Sequence, residues 1–192
     1  MPFIGNQPTA VPLTSADIQD GTIGIADLSA TGTKDSTTFL RGDNTFTSAG
    51  GANTPAFFAV KNTTQSPSNN AGVKITYETE IFDTNNAFAS SRFTVPSGQA
   101  GRYFLFFQYL NNKTGVISEN YGYFLLNGSS TGRGFFDFGG TNPSNMNAFV
   151  AVIFDLSVGD YVEVQHYSTT TDSSAGSLMA NYNTFGGYKI IE

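Results

Sequence analysis

The chain has 192 residues, of which 39% are hydrophobic and only 12% charged, with 18 Phe, 9 Tyr and a net charge of −6. That length suits one domain, or one domain with an appendage, and supplies enough apolar side chain for a sizeable core. The acidic balance and the lack of any basic stripe exclude binding to a nucleic-acid backbone, which needs clustered Lys and Arg. The absence of cysteine excludes disulfides and thiolate metal sites.

Residues 1–13 hold Pro2, Pro8 and Pro12 without a periodic pattern and read as an extended peptide. The start, Met1-Pro2-Phe3-Ile4-Gly5, has neither a basic region nor an apolar run of signal-peptide length, so synthesis in the cytosol is expected. No stretch approaches the ~18–20 apolar residues of a membrane-spanning helix.

Residues 14–54 form a second region. Ala16-Asp17-Ile18 returns as Ala26-Asp27-Leu28, each followed by a Gly-Thr pair, Gly21-Thr22 and Gly32-Thr33. The segment is too thin in large apolar residues to build its own core, so identical copies or a docking partner are expected to order it as a β-rich trimerising arm. Ser48-Ala49-Gly50-Gly51-Ala52-Asn53 reads as a linker.

From Pro55 onward strand signals dominate. Val73, Ile75, Tyr77, Thr79 and Ile81 alternate with Lys74, Thr76, Glu78 and Glu80, a period of two that predicts one strand with one apolar face. Further strands are expected at Tyr103–Phe107, Tyr121–Leu126, Phe149–Leu156 and Tyr161–Tyr167, separated by turns such as Asn127-Gly128 and Gly159-Asp160. About eight to ten short strands without a helical stretch predict an all-β sandwich or jelly roll over residues 55–192.

In Arg102-Tyr103-Phe104-Leu105-Phe106-Phe107, Tyr103, Leu105 and Phe107 point one way while Phe104 and Phe106 point the other. Both faces are apolar, and a lone two-layer sandwich covers only one face of each sheet. Phe149–Phe154 and Tyr123–Leu126 pose the same problem. Burial against identical subunits solves it, and Phe104, Phe106, Tyr123, Phe149 and Phe154 are the expected interface residues.

Several ordered motifs resemble the globular head of complement component one q. They are Phe82-Asp83-Thr84-Asn85-Asn86, then Phe88, then Arg92-Phe93-Thr94-Val95-Pro96 and the Gly101–Phe107 run. Leu156-Ser157-Val158-Gly159-Asp160-Tyr161-Val162 and the closing Thr184-Phe185-Gly186-Gly187-Tyr188 strand follow. The resemblance implies a ten-stranded jelly roll of the tumour-necrosis-factor type, assembled as a homotrimer. In the arm, Asp20-Gly21-Thr22-Ile23, Asp27-Leu28-Ser29 and Thr38–Phe46 resemble stretches of bacteriophage tail-fibre and virion proteins that precede knob domains. That second resemblance implies a virion fibre, assembled in the host cytoplasm and released by lysis. Phe3, Ile4, Ile18 and Ile23 of the arm would fix it to a tail or capsid protein, and the knob would adsorb to a bacterial surface glycan or receptor protein.

Chemistry by the chain itself is not expected. His166 is the only histidine and lacks a nucleophile-elbow motif; it reads as a packed residue. Glu78 and Glu80, two apart on one strand, would place carboxyls roughly 7 Å apart, a spacing used for inverting glycoside hydrolysis. A polysaccharide-cleaving enzyme is therefore the rival from another class, and a head fibre or capsid decoration protein is the rival within the same class. Arg41-Gly42-Asp43 reads as a turn. No cofactor is expected. Calcium is the one ion the complement resemblance admits, with Asp137, Asp160 and Asp172 as available oxygen donors and no ligand set assigned. Receptor contact is expected from loops rich in Asn, Tyr and Ser that carry Tyr109, Asn111, Asn112, Lys113, Asn142, Asn145, Tyr167 and Asp172.

Overall fold

A computed structural model of the chain describes residues 14, 16, 19–21, 23–48, 53–113, 117–137, 145–170 and 176–190. The chain divides into two compact units, Met1–Gly50 and Gly51–Glu192.

In the first unit a 3-10 turn at Ile25–Asp27 precedes a hairpin of β1 (Thr38–Leu40) and β2 (Phe46–Ser48). Arg41-Gly42-Asp43 lies in the connecting turn, where Asp43 Oδ1 accepts from the Thr45 hydroxyl at 2.6 Å. Gly32, at φ 93°, lies so close to the hairpin that a Cβ would stand 2.3 Å from the Phe46 carbonyl oxygen. Ala30 is the one buried hydrophobic residue among those described here, while Ile23, Phe39 and Leu40 are exposed.

The second unit is a sandwich of two six-stranded sheets. Its strands are β3 (Ala56–Val60), β4 (Val73–Lys74), β5 (Thr79–Asp83), β6 (Phe88–Ala89), β7 (Arg92–Thr94), β8 (Gly101–Asn112), β9 (Ile117–Leu126), β10 (Ser129–Asp137), β11 (Asn145–Leu156), β12 (Tyr161–Thr170), β13 (Ser177–Leu178) and β14 (Thr184–Lys189). The first sheet runs β11-β8-β14-β3-β5, with β13 also on β8; the second runs β10-β9-β12-β7-β6, with β4 on β12.

Period-two alternation fills the space between the sheets. Tyr103, Leu105, Phe107 and Tyr109 of β8 point inward, as do Val162, Val164, His166 and Ser168 of β12, and all are buried. Phe57 lies between Phe88 and Phe93, with ring centroids 5.0 and 4.9 Å away, and Phe107 meets Phe124 edge-on at 4.8 Å across the sandwich. Each such ring contributes about 2–3 kcal/mol by leaving water.

The single strand expected over residues 73–81 is two. Val73–Lys74 pairs with β12 in one sheet and Thr79–Asp83 with β3 in the other, so the chain crosses between sheets at residues 75–78. Ile75 and Tyr77 are buried at the crossing, but Ile81 is exposed rather than sharing their face. Ile81 is the extra residue of a register shift in the β3–β5 ladder, where Phe58 faces Phe82 and Ala59 faces Glu80.

Candidate functional site

Each sheet has an outward face that the sandwich itself cannot cover, and the two differ in chemistry. On the first sheet, Phe82, Phe58, Gly186 and Phe106 fall side by side across β5, β3, β14 and β8. Centroids step 6.4 Å from Phe82 to Phe58, 6.1 Å from Phe58 to Phe106 and 5.6 Å from Phe106 to Phe149 on β11. Phe104 continues the layer, 6.0 Å from Phe106 and 5.5 Å from Tyr188. Gly186 makes it continuous: a Cβ there would stand 2.7 Å from Phe106 Cζ and 2.9 Å from Phe58 Cδ2. Phe149 is 63% exposed, Ile153 53% and Phe82 48%. Towards the far end of β8 the same face turns polar, through Gln108 to Asn112, whose Nδ2 donates to Asn145 Oδ1 at 2.8 Å.

Of the expected interface residues, Phe104, Phe106 and Phe149 lie together on this face. Phe154 does not. It is 3% exposed inside the core, edge-on to Phe124 at 6.1 Å, because an odd number of positions separates it from Phe149 and a strand turns such residues to opposite sides. Tyr123 belongs to the second sheet and faces outward there. Phe58, Phe82, Ile153 and Tyr188 complete the layer and were missed by the sequence reading; only strand pairing brings them in.

The expected receptor loops are corrected in part. Tyr109, Asn111 and Lys113 are buried, because β8 extends to Asn112 and what reads as a polar loop is the strand's end. Asn112 is half-buried, Asn145 exposed and Tyr167 half-buried on the outward face of β12. Asn142 and Asp172 lie outside the described residues, as do Phe3, Ile4 and Ile18 of the arm; Ile23 is exposed.

The outward face of the second sheet carries tyrosine instead of phenylalanine. Tyr121 of β9 and Tyr167 of β12 are direct register partners, with rings 4.8 Å apart and 21° from parallel, and Tyr123 adjoins Tyr121 at 5.6 Å. The Tyr123 hydroxyl donates to Gln165 Oε1, and the Tyr167 hydroxyl to Asn70 Oδ1 at 2.7 Å. Further along, Glu163 Oε1 holds Lys74 Nζ and Arg92 Nε at 2.9 Å each, and the Arg92 guanidinium stacks 3.9 Å above the Tyr161 ring. Burial would raise the Glu163 pKa, but hydrogen bonds from Lys74 and Arg92 outweigh it and keep the carboxyl ionised.

The groups that suggested chemistry are committed to structure. Glu78 is acceptor-saturated: Oε1 takes the Thr76 hydroxyl at 2.8 Å and Lys61 Nζ at 3.1 Å, and Oε2 takes the Asn62 amide at 2.7 Å. Burial opposes its charge, yet these donors hold its pKa at about 2, unsuited to a proton-donating acid. Lys61, fully buried, also reaches the Thr76 carbonyl at 3.0 Å. His166 is buried with Nδ1 2.6 Å from the Tyr109 hydroxyl, which donates to Asn120 Oδ1 at 2.8 Å; burial depresses its pKa to about 4. His166 is sealed from solvent, and Glu78, though exposed, has both carboxylate oxygens engaged. Asp160 spends one oxygen on Asn127 Nδ2 and the other on the Ser157 amide, both at 2.8 Å, and so serves a turn rather than an ion. Among the described residues no group of three His, Asp or Glu could hold a metal.

Comparison with solved structures fits this architecture. The globular domain of zebrafish complement 1qA superposes with a TM-score of 0.53 at 17% identity, covering 71% of this chain and 97% of its own. The fold is the complement one q and tumour-necrosis-factor jelly roll. Murine APRIL at pH 8.5 gives 0.50 at 14% identity, and at pH 5.0 it gives 0.51 at 15%; each covers 70% of this chain and 98% of its own. No family model matches the chain, and no curated protein matches it.

Proposed function

We propose that the chain is the subunit of a homotrimeric bacteriophage virion fibre whose jelly-roll knob adsorbs to the bacterial surface without covalent chemistry. The observation that carries this reading is the unbroken aromatic layer on the outward face of the first sheet. A face of that composition left in water would be an aggregation hazard, whereas a second and third copy packed against it remove several rings from solvent. At about 2–3 kcal/mol for each fully buried Phe, assembly would be strong. Threefold order is what the complement resemblance implies, and the virion setting is what the arm's motifs imply. Three copies on each knob, and many fibres on each particle, turn a weak single contact into firm attachment.

The test is mass in solution. The purified full chain is expected to sediment as three 20.5-kDa subunits, and Phe104→Asp is expected to leave single folded chains. A wild-type chain that stays single at micromolar concentration overturns the assembly. Release of reducing ends from bacterial polysaccharide would favour the enzyme instead.

A further inference from the structure

We propose that the tyrosine face of the second sheet is a binding surface for an uncharged saccharide chain. The inference rests on the adsorption reading and names the part of the knob that does the adsorbing.

Three features carry it. The first is the alternation of ring and amide. Tyr121, Tyr123 and Tyr167 form one row, and the Tyr123 and Tyr167 hydroxyls occupy the side-chain oxygens of Gln165 and Asn70. Each of those bonds leaves the amide nitrogen, Gln165 Nε2 or Asn70 Nδ2, with no acceptor among the described residues. A sugar ring needs this pairing, because its C–H patch packs on an aromatic surface while its hydroxyl oxygens take N–H donors.

The second feature is preorganisation. Gly72 approaches the Gln165 side chain so closely that a Cβ would stand 2.7 Å from Oε1. Gln165 is thus held between backbone and phenol, and ordering it on binding costs little entropy.

The third feature is charge. Glu163, on the same strand face, binds both Lys74 and Arg92, so that trio carries one net positive charge. Exposed Glu119 on β9 offsets it, and Asp137 of β10 is the register partner of Tyr121, in a chain of net −6. The face therefore has no positive surplus to hold a polyanion, and a neutral chain of hydroxyls needs none. A water-excluding protein contact suits the phenylalanine face far better than this hydroxyl-rich one. Assembly through the first sheet leaves the tyrosine face open and repeats it three times.

The experiment titrates the full-length protein with neutral hexasaccharides of glucose, mannose, galactose and N-acetylglucosamine, read by intrinsic tyrosine fluorescence and by nuclear magnetic resonance shifts. Heparin serves as the polyanionic probe. At least one neutral oligomer is expected to bind saturably, with Tyr121→Ala and Gln165→Ala each weakening it about tenfold or more at unchanged oligomer mass. Tyr167→Phe keeps the ring and is expected to weaken binding less. Binding that persists within about twofold in the Tyr121→Ala/Gln165→Ala double variant overturns this face while leaving glycan adsorption standing. Failure of every neutral oligomer to bind wild type overturns both, and preference for heparin overturns the uncharged ligand while leaving glycan adsorption standing.

Discussion

The two outward faces of the knob are built on the same alternating strands, yet one presents phenylalanine and the other tyrosine. On the first sheet, Phe58, Phe82, Phe104, Phe106 and Phe149 carry no hydrogen-bonding atom, and a glycine beneath them lets the rings close into a layer. On the second, every ring of the row has a hydroxyl, and two of these hold amides in place. A single oxygen on each ring decides what the surface tolerates. The bare face gains free energy only when water is removed, whereas the hydroxylated face is satisfied wet and can exchange water for a polar ligand.

Placing a charge on each face breaks the comparison most sharply. Phe106→Asp is expected to abolish assembly, since an unpaired charge buried in the subunit contact costs about 3–5 kcal/mol. Tyr167→Asp is expected to leave the mass unchanged. Light scattering of the two variants side by side checks both, and equal behaviour would mean that the faces do not divide the roles.

Acid provides the next largest effect. His166 has a folded pKa of about 4 against an ordinary 6.5, so the unfolded chain binds its proton first. Stability is full above pH 6.5 and falls as the pH drops towards 4, by about 3 kcal/mol in all. Glu78, also depressed from 4.5 to about 2, adds loss in the same direction but only as the pH falls below 4.5. Denaturation midpoints measured between pH 7 and 3 are expected to decline from the upper part of that range, and His166→Gln is expected to flatten the upper part alone.

Gly186→Ala probes how the phenylalanine layer is supported. Its Cβ would crowd Phe106 and Phe58, and the overpacking is expected to cost about 1–3 kcal/mol, read as a lowered Tm and a weaker oligomer. The smallest effect is expected from Tyr123→Phe. Removing one hydroxyl should change folding stability by no more than about 1 kcal/mol and leave the mass untouched, while releasing Gln165 and so weakening saccharide binding.

The sequence alone determined that the knob is all-β, because alternation in β8, β11 and β12 leaves strands as the only reading, and that Phe104 and Phe106 oppose Leu105 and Phe107. Parity is a local property, legible wherever a strand is regular. It also placed Phe149 and Phe154 on opposite sides, a consequence that naming both as interface residues overlooked. Tertiary structure alone decided which strands lie side by side, and so that Phe82 and Phe58 join Phe106 across Gly186 while Tyr123 stands on the other sheet. It decided too that Tyr109, Asn111 and Lys113 are interior, since the length of β8 is fixed by its ladder with β11 rather than by its own composition. Side-chain direction follows from neighbours one and two residues away, but adjacency across a sheet follows from hydrogen bonds between segments far apart in the chain, which no local pattern records.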